Sequence, residues 1–186
     1  MVRFYTYGVF ILLLACGIPF VADAGPVIRS GDTVALTQKQ SVNGDLYLLG
    51  GTVSSYADVV GDAYALGAGV TIHGKVTSDV AVVGGAVEIS APVGDDVRVV
   101  GGTVVIGNDV AGDVVVFGGQ VTLLPSAHVT GDVLFYGGSL DVEGPVHGSI
   151  LAKGERIRVD SAVDGDVVAT AYSSPTISDS SARIIS

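Results

Sequence analysis

The stretch GDVVVFGGQV, from Gly112 to Val121, recurs throughout this chain of 186 residues. Close copies are GDLYLLGGTV at Gly44, SDVAVVGGAV at Ser78, DDVRVVGGTV at Asp95 and GDVLFYGGSL at Gly131. Units of this kind begin at Gly44, Gly61, Ser78, Asp95, Gly112, Gly131, Gly148 and Gly165. Successive starts lie 17 residues apart, except for 19 residues after Gly112. A fixed period over about two-thirds of the chain predicts a solenoid of stacked repeats.

Hydrophobic residues occupy the same places in every repeat. Two residues after each start stand Leu46, Ala63, Val80, Val97, Val114, Val133, Ile150 and Val167, and a valine stands near the end of each repeat from Val59 to Val163. Two further apolar columns stand nine and eleven residues after most starts, as Val104 and Ile106 do, and this spacing of two is the period of a β-strand. We therefore predict an all-β fold, a three-sided parallel β-helix of about eight coils, with inward-pointing valine, isoleucine and leucine.

Glycine pairs six residues after most starts mark the corners of the coils. Glycine suits a corner because it adopts positive φ, or because stacked turns leave no room for a Cβ atom. The two extra residues of the longer coil, near Pro125, are predicted to bulge at a corner. Residues 44–172 form the predicted β-helix, residues 25–43 about half a coil that caps it, and residues 173–186 a C-terminal remnant or cap.

The composition restricts the class of protein. Hydrophobic residues make up 48% of the chain and aromatic residues 6%, with 27 glycines and no tryptophan, which is typical of tight β structure. The formal net charge of −10 argues against nucleic acid as a partner, because nucleic acid binding needs a basic patch. The only cysteine is Cys16, so the repeats contain no disulfide.

Residues 1–24 have the features of a secretory signal peptide. Arg3 precedes an apolar stretch from Gly8 to Val21, and small residues at Ala22 and Ala24 suit cleavage after Ala24. Two alternatives are lipidation of Cys16, since Leu13–Cys16 resembles a lipobox, and retention of the segment as an anchor, for which it is short. In each case we expect the repeats outside the cytoplasm, in the cell envelope or extracellular.

The repeat resembles that of the bactofilin family, the polymer-forming cytoskeletal proteins of bacteria. The similarity lies in the pattern V-x-G-D-V-x-x-x-G-G-x-V-x-I, as in VTGDVLFYGGSLDV from Val129 to Val142, and it covers Gly44 to about Val168. The resemblance implies a right-handed, three-sided parallel β-helix whose subunits stack end to end without a nucleotide. The signal peptide departs from the cytoplasmic members and favours exported relatives with a role in the cell envelope.

An aspartate recurs one residue after almost every start. The column contains Asp45, Asp62, Asp79, Asp96, Asp113, Asp132 and Asp166, and Ser149 interrupts it. Stacked carboxylates are potential ligands for Ca²⁺. Aspartate after glycine is also a good turn residue, because its side chain accepts hydrogen bonds from nearby backbone N–H groups. We prefer this structural interpretation and predict no metal and no cofactor.

The remaining polar candidates do not form a catalytic site in the sequence. His128 and His147 fall at equivalent distances in successive coils, but neither they nor His73 have a further ligand at a suitable spacing for zinc. Arg98 beside Asp95 and Asp96 is a conceivable acid–base cluster, and it is also an ordinary surface ion pair. We therefore predict that the protein is not an enzyme.

One outward column of the first strand is largely apolar. It contains Tyr47, Tyr64, Ala81, Arg98, Val115, Leu134 and Leu151, and we predict that Tyr47, Tyr64, Val115, Leu134 and Leu151 form an interaction face. We expect a structural protein that associates with itself through its rod ends or through this face, and membrane or cell-wall components are further candidate partners. The alternative is an exported surface module that binds envelope components or polysaccharide without catalysis.

Overall fold

The computed structural model describes residues 25–172 and 176–177, which form β-strands and turns and no α-helix. The strands are β1 (Val27–Leu36), β2 (Ser41–Asn43), β3 (Leu46–Ser55), β4 (Asp58–Val60), β5 (Ala63–Ile72), β6 (Val80–Ile89), β7 (Val97–Ile106), β8 (Val114–Leu123), β9 (Val133–Val142), β10 (Ile150–Gly154), β11 (Arg156–Val159), β12 (Val167–Ala171) and β13 (Thr176–Ile177). The predicted signal peptide and most of the predicted C-terminal segment lie outside the described residues.

All the strand pairs are parallel, and each long strand pairs with its counterpart in the next coil. The order of the main sheet is β1-β3-β5-β6-β7-β8-β9-β10-β12, and β11 pairs with the second half of β9, next to the place where β10 pairs with the first half. The usual register shift is 17 residues, as in Val97 opposite Val114. These pairings build a β-solenoid of about nine turns and confirm the predicted all-β parallel β-helix.

Each coil has three sides around one hydrophobic core. In β7, Val97 and Val99 point inward before the glycine corner, and Val104 and Ile106 point inward after it. The third side contributes a single bridge residue such as Val93, which pairs with Val76 and Val110. Two of the three predicted short strands are therefore one ten-residue strand that continues through a corner, and the third is shorter than predicted.

The glycine corners are explained by close approach of the coils. Among the described residues only Gly44 and Gly61 have positive φ, so the Gly-Gly pairs do not need glycine for that reason. The first residue of the corner pair is glycine in every described coil but the last, and a Cβ atom on Gly67 would lie 2.7 Å from the carbonyl oxygen of Gly50 in the preceding coil. Stacking therefore excludes a side chain at this first place within the stack, whereas the second place accepts Ala68 and Glu155.

The segment before Gly44 forms a more complete coil than the predicted half coil. β1 pairs with β3 along its length, from Val27 opposite Leu46 to Leu36 opposite Ser55, and Val42 on β2 pairs with Val59. The register shift between β1 and β3 is 19 residues, so this coil contains two extra residues like the coil that begins at Gly112. It stacks on the next coil through the pairing of β1 with β3.

Both extra pairs of residues lie at the same corner, after the long strand. In the first coil the turn is Thr37–Gln40, closed by a hydrogen bond of 2.9 Å from Gln40 N–H to the Thr37 carbonyl oxygen. In the later coil it is Leu124–Ala127, closed by a bond of 2.8 Å from Ala127 N–H to the Leu124 carbonyl oxygen. The bulge predicted near Pro125 is therefore a turn that leaves the flanking strands aligned.

No helix among the described residues is long and apolar enough to cross a membrane.

Candidate functional site

The first side of the solenoid presents an apolar surface that is two columns wide. The first column is the predicted one: Tyr47, Tyr64, Ala81, Arg98, Val115, Leu134 and Leu151. The second column lies two residues further along each strand and contains Leu49, Leu66, Val83, Val100, Phe117, Tyr136 and Lys153. We call these two columns together the interaction face.

Sequence analysis missed the second column, although it is the more exposed of the two. Leu66 is 53% exposed and Tyr136 57%, whereas Tyr47 and Val115 of the first column are half-buried. The signal was present in the sequence, because residues two apart on a strand point to the same side. Reading two outward positions per strand instead of one would have found it.

The interaction face is shallow and partly aromatic. A groove of about 500 Å³ runs along it from Tyr47 to Phe117. The rings of Tyr47 and Tyr64 stack with their centroids 4.8 Å apart and their planes at 8°, and Phe117 packs against Tyr136 at 6.4 Å. Such ring pairs in neighbouring coils rigidify the surface, which favours contact with a flat partner over enclosure of a small ligand.

The aspartates form a continuous ladder of hydrogen bonds between coils. Each carboxylate accepts a bond from the backbone N–H of the equivalent residue in the next coil, at distances of 2.7–3.2 Å, from Asp45 with Asp62 N–H to Asp132 with Ser149 N–H. Ser149 Oγ continues the ladder by accepting from Asp166 N–H. The bond partner belongs to the next coil, 17 residues further along the chain in most coils.

The aspartate ladder borders the interaction face along one edge. The hydroxyl of Tyr64 donates a hydrogen bond of 3.0 Å to Asp62 Oδ2, and this bond raises the pKa of Tyr64. The guanidinium of Arg98 donates to Asp79 Oδ2 at 2.7 Å and to Asp96 Oδ2 at 2.5 Å. The hydroxyl of Tyr64 and the guanidinium of Arg98 therefore point toward the aspartate ladder and away from the apolar second column.

Arg98 lies in an acidic cluster. Carboxylate oxygens of Asp79, Asp95 and Asp96 lie within 4.8 Å of one another. Burial acts to raise the pKa of Asp79, but its hydrogen bonds from Arg98 and from Asp96 N–H and the charge of Arg98 lower the pKa below its ordinary value. The neighbouring charge of Asp96 raises the pKa of Asp95. The guanidinium bonds to Asp79 and Asp96, and its charge partly offsets the repulsion that acts on Asp95.

The histidines do not come together. His128 bonds to Asp109 at 2.7 Å, and His147 bonds to Asp164 at 2.7 Å. His128 and His147 both lie 16 residues after the start of their coil, but they occupy different places in the fold. Because the coil of His128 is two residues longer, His128 precedes the bridge residue Val129, whereas His147 follows the bridge residue Val146. The ring of His73 stacks on Tyr56 with centroids 4.6 Å apart.

Comparison with known proteins adds no assignment: no family model matches the chain, and no curated protein and no solved structure matches it.

Proposed function

We propose that this chain is an exported structural protein, a rigid β-helical rod that associates with itself in the cell envelope. The interaction face is the main contact surface, and the rod ends provide a second one. The proposal includes membership among the exported, bactofilin-like polymer-forming proteins that the repeat resembles. Neither a catalytic step nor a cofactor is part of it.

The observation that carries the proposal is the composition of the interaction face. Six successive residues of its second column, from Leu49 to Tyr136, are apolar or aromatic, and each is exposed. The neighbouring outward positions beyond the glycine corner include Thr52, Thr103 and Gln120, which are polar. Since a continuous apolar stripe on one side of a rod is costly in water, it indicates a surface that is covered in the functional state.

The first coil supports the second route, through the rod ends. Among the described residues, β1 pairs on one side only, with β3. The backbone groups on its other edge are available to a strand of another subunit. Ile28 on this coil is 62% exposed, which adds apolar surface at the same end.

The test is the mass of the purified protein as a function of concentration, measured by sedimentation velocity. The triple variant Leu66→Lys, Val100→Lys and Phe117→Lys places three charges on the second column. We expect the wild type to form larger species as concentration rises, and the variant to shift this rise to at least tenfold higher concentration.

The matched control is Thr71→Lys, Val105→Lys and Thr122→Lys, which adds the same charge in the same three coils at half-buried outward positions of the second side, away from the interaction face and both of its edges. We expect it to associate like the wild type. Equal masses for all three proteins would show that the interaction face is not the contact. A wild type that stays monomeric at every concentration would refute self-association.

A second candidate function is binding of an envelope polysaccharide, which the exposed aromatic residues favour. Phe117 and Tyr136 present rings on the interaction face, and aromatic rings stack on the apolar faces of sugars. In that case a glycan would raise the melting temperature while the mass remained that of one chain. The same lysine variant would abolish the shift.

A further inference from the structure

We propose that the interaction face packs against the same face of a second copy, with the two rods pointing in the same direction. This inference rests on the proposed function and adds the geometry of the contact. It follows from the unequal edges of the interaction face, from the symmetry of two identical faces and from the size of the surface.

The two edges of the interaction face differ in charge. Along one edge runs the aspartate ladder. Its carboxylates accept hydrogen bonds from side chains of the first column: Asp62 from Tyr64, and Asp79 and Asp96 from Arg98. Along the other edge runs the glycine corner, followed by an outward column that contains Thr52, Ala86, Thr103, Gln120 and Ser139 and is uncharged over these coils. A partner surface therefore meets negative charge along one side, whereas the other side is uncharged from Thr52 to Ser139 and carries a cation, Arg156, in the next coil.

Two identical faces can close a pair in two symmetric ways. If the twofold axis runs along the rods, the copies are parallel, and the ladder of each lies opposite the glycine corner of the other. If the axis runs across the rods, the copies are antiparallel, and ladder lies opposite ladder. The two arrangements bury the same residues, so charge distinguishes them.

Electrostatic repulsion opposes the antiparallel pair. It would align two ladders of stacked carboxylates across one seam, with only Arg98 pairing to Asp79 and Asp96 within each copy. Like charges that face each other across an interface raise its free energy, so the antiparallel pair is disfavoured. In the parallel pair the ladders lie at opposite edges, and Lys153, the cation of the second column, is brought level with Ser149 of the other copy's ladder, between Asp132 and Asp166 of the adjacent coils.

The size of the interaction face indicates that such a pair is weak. Two columns occupy about 13 Å of strand, and seven coils at about 4.8 Å give about 33 Å of length, which is about 400 Å² in projection. Stable interfaces bury about 800 Å² on each partner. We therefore expect association that depends on concentration and becomes strong only where several rods align.

Cross-linking through single cysteines tests the orientation. In a Cys16→Ser background, Leu66→Cys places a thiol near one end of the interaction face and Leu151→Cys places one near the other, five coils away. A bis-maleimide of about 10 Å is applied at a concentration at which sedimentation shows association. One variant carries a tag, so that a mixed product is distinguished from the two self-products.

The parallel pair predicts self-products of each variant and at most a trace of mixed product. A mixed product in place of both self-products would overturn the parallel orientation and leave self-association through the face intact. Association without any cross-link would overturn the face as the contact. A monomeric sedimentation profile at all concentrations would overturn the proposed function, and this inference with it.

Discussion

At the scale of single residues, Ser55 is an exception in the core. It is 1% exposed at a place where other coils carry Leu36, Ile72 or Ile89, and its hydroxyl has no hydrogen-bond partner among the described residues. An unpaired buried hydroxyl costs about 1–3 kcal/mol. In the sequence, Ser55 stands eleven residues after Gly44, where the next two repeats carry Ile72 and Ile89, but the isolation of its hydroxyl became visible only when the neighbouring coils were in place.

We expect Ser55→Val to raise the free energy of unfolding by about 1–2 kcal/mol, because it removes the unpaired hydroxyl and adds buried apolar surface. Urea denaturation measures the change. Ser54→Val, the same substitution at the adjacent outward position, is the control and should change stability by less than about 0.5 kcal/mol. Equal effects for both would mean that general β-propensity, not the core, is responsible.

The aspartate ladder gives a second prediction at this scale. Asp113 Oδ1 accepts the N–H of Asp132 at 2.8 Å. Asp113→Ala leaves that N–H without its partner and should lower the free energy of unfolding by about 1–2 kcal/mol. Asp113→Asn keeps an acceptor oxygen and removes one charge from the ladder, so thermal denaturation should show a smaller loss. A larger loss for asparagine than for alanine would show that charge, not the hydrogen bond, stabilises the coil.

Among the structural elements, the glycine corner sets the closest packing between coils. Gly67→Ala would place a Cβ atom 2.7 Å from the carbonyl oxygen of Gly50, whereas a Cβ atom on Gly69 meets nothing within 4 Å. We expect Gly67→Ala to lower the free energy of unfolding by about 1–3 kcal/mol through overpacking. Gly69→Ala should be neutral or raise it by up to about 1 kcal/mol, since its φ is not positive. Denaturation curves that show equal losses would refute the steric explanation.

The elements also show why the sequence predicted eight coils and the structure has about nine. The first coil begins with Gly25 and Pro26 in place of Gly-Asp, has Gly31 and Asp32 where the next coil has Gly50 and Gly51, and carries Arg29 at a place that is inward in other coils. As the outermost of the described layers it covers the core from one side only, so its residues need not follow the repeat. Periodicity detects layers with two neighbours more readily than a terminal layer.

For the whole molecule, the sequence predicted the stacking of the coils well and the outer surface less well. Inward columns are constrained by the shared core, so they repeat and are easy to read. Outward positions are free to vary, as Ala81, Arg98 and Val115 show within one column. The width of the interaction face could have been read from the second outward position of each strand, whereas the hydrogen bonds that join Tyr64 and Arg98 to the aspartate ladder emerged only from the stacked coils.

Salt provides a prediction at this scale. The formal net charge is −10, so copies repel one another at long range while the interaction face attracts at contact. Raising ionic strength from 0.01 M to 0.15 M shortens the screening length from about 30 Å to about 8 Å. We expect self-association, measured by sedimentation, to strengthen several-fold. Weakening with salt would mean that opposite charges hold the copies together.

The two longer coils have a consequence for how chains of this kind can change. Thr37–Gln40 and Leu124–Ala127 absorb their surplus at one corner, and the strands on either side keep their alignment, as Leu36 with Ser55 and Leu123 with Val142. Insertions at this corner leave the packing of the core unchanged, whereas a one-residue shift within a strand would turn apolar residues outward. Differences in length between descendants of this chain should therefore occur at this one corner of successive coils. The same corner is a suitable place to insert a foreign loop.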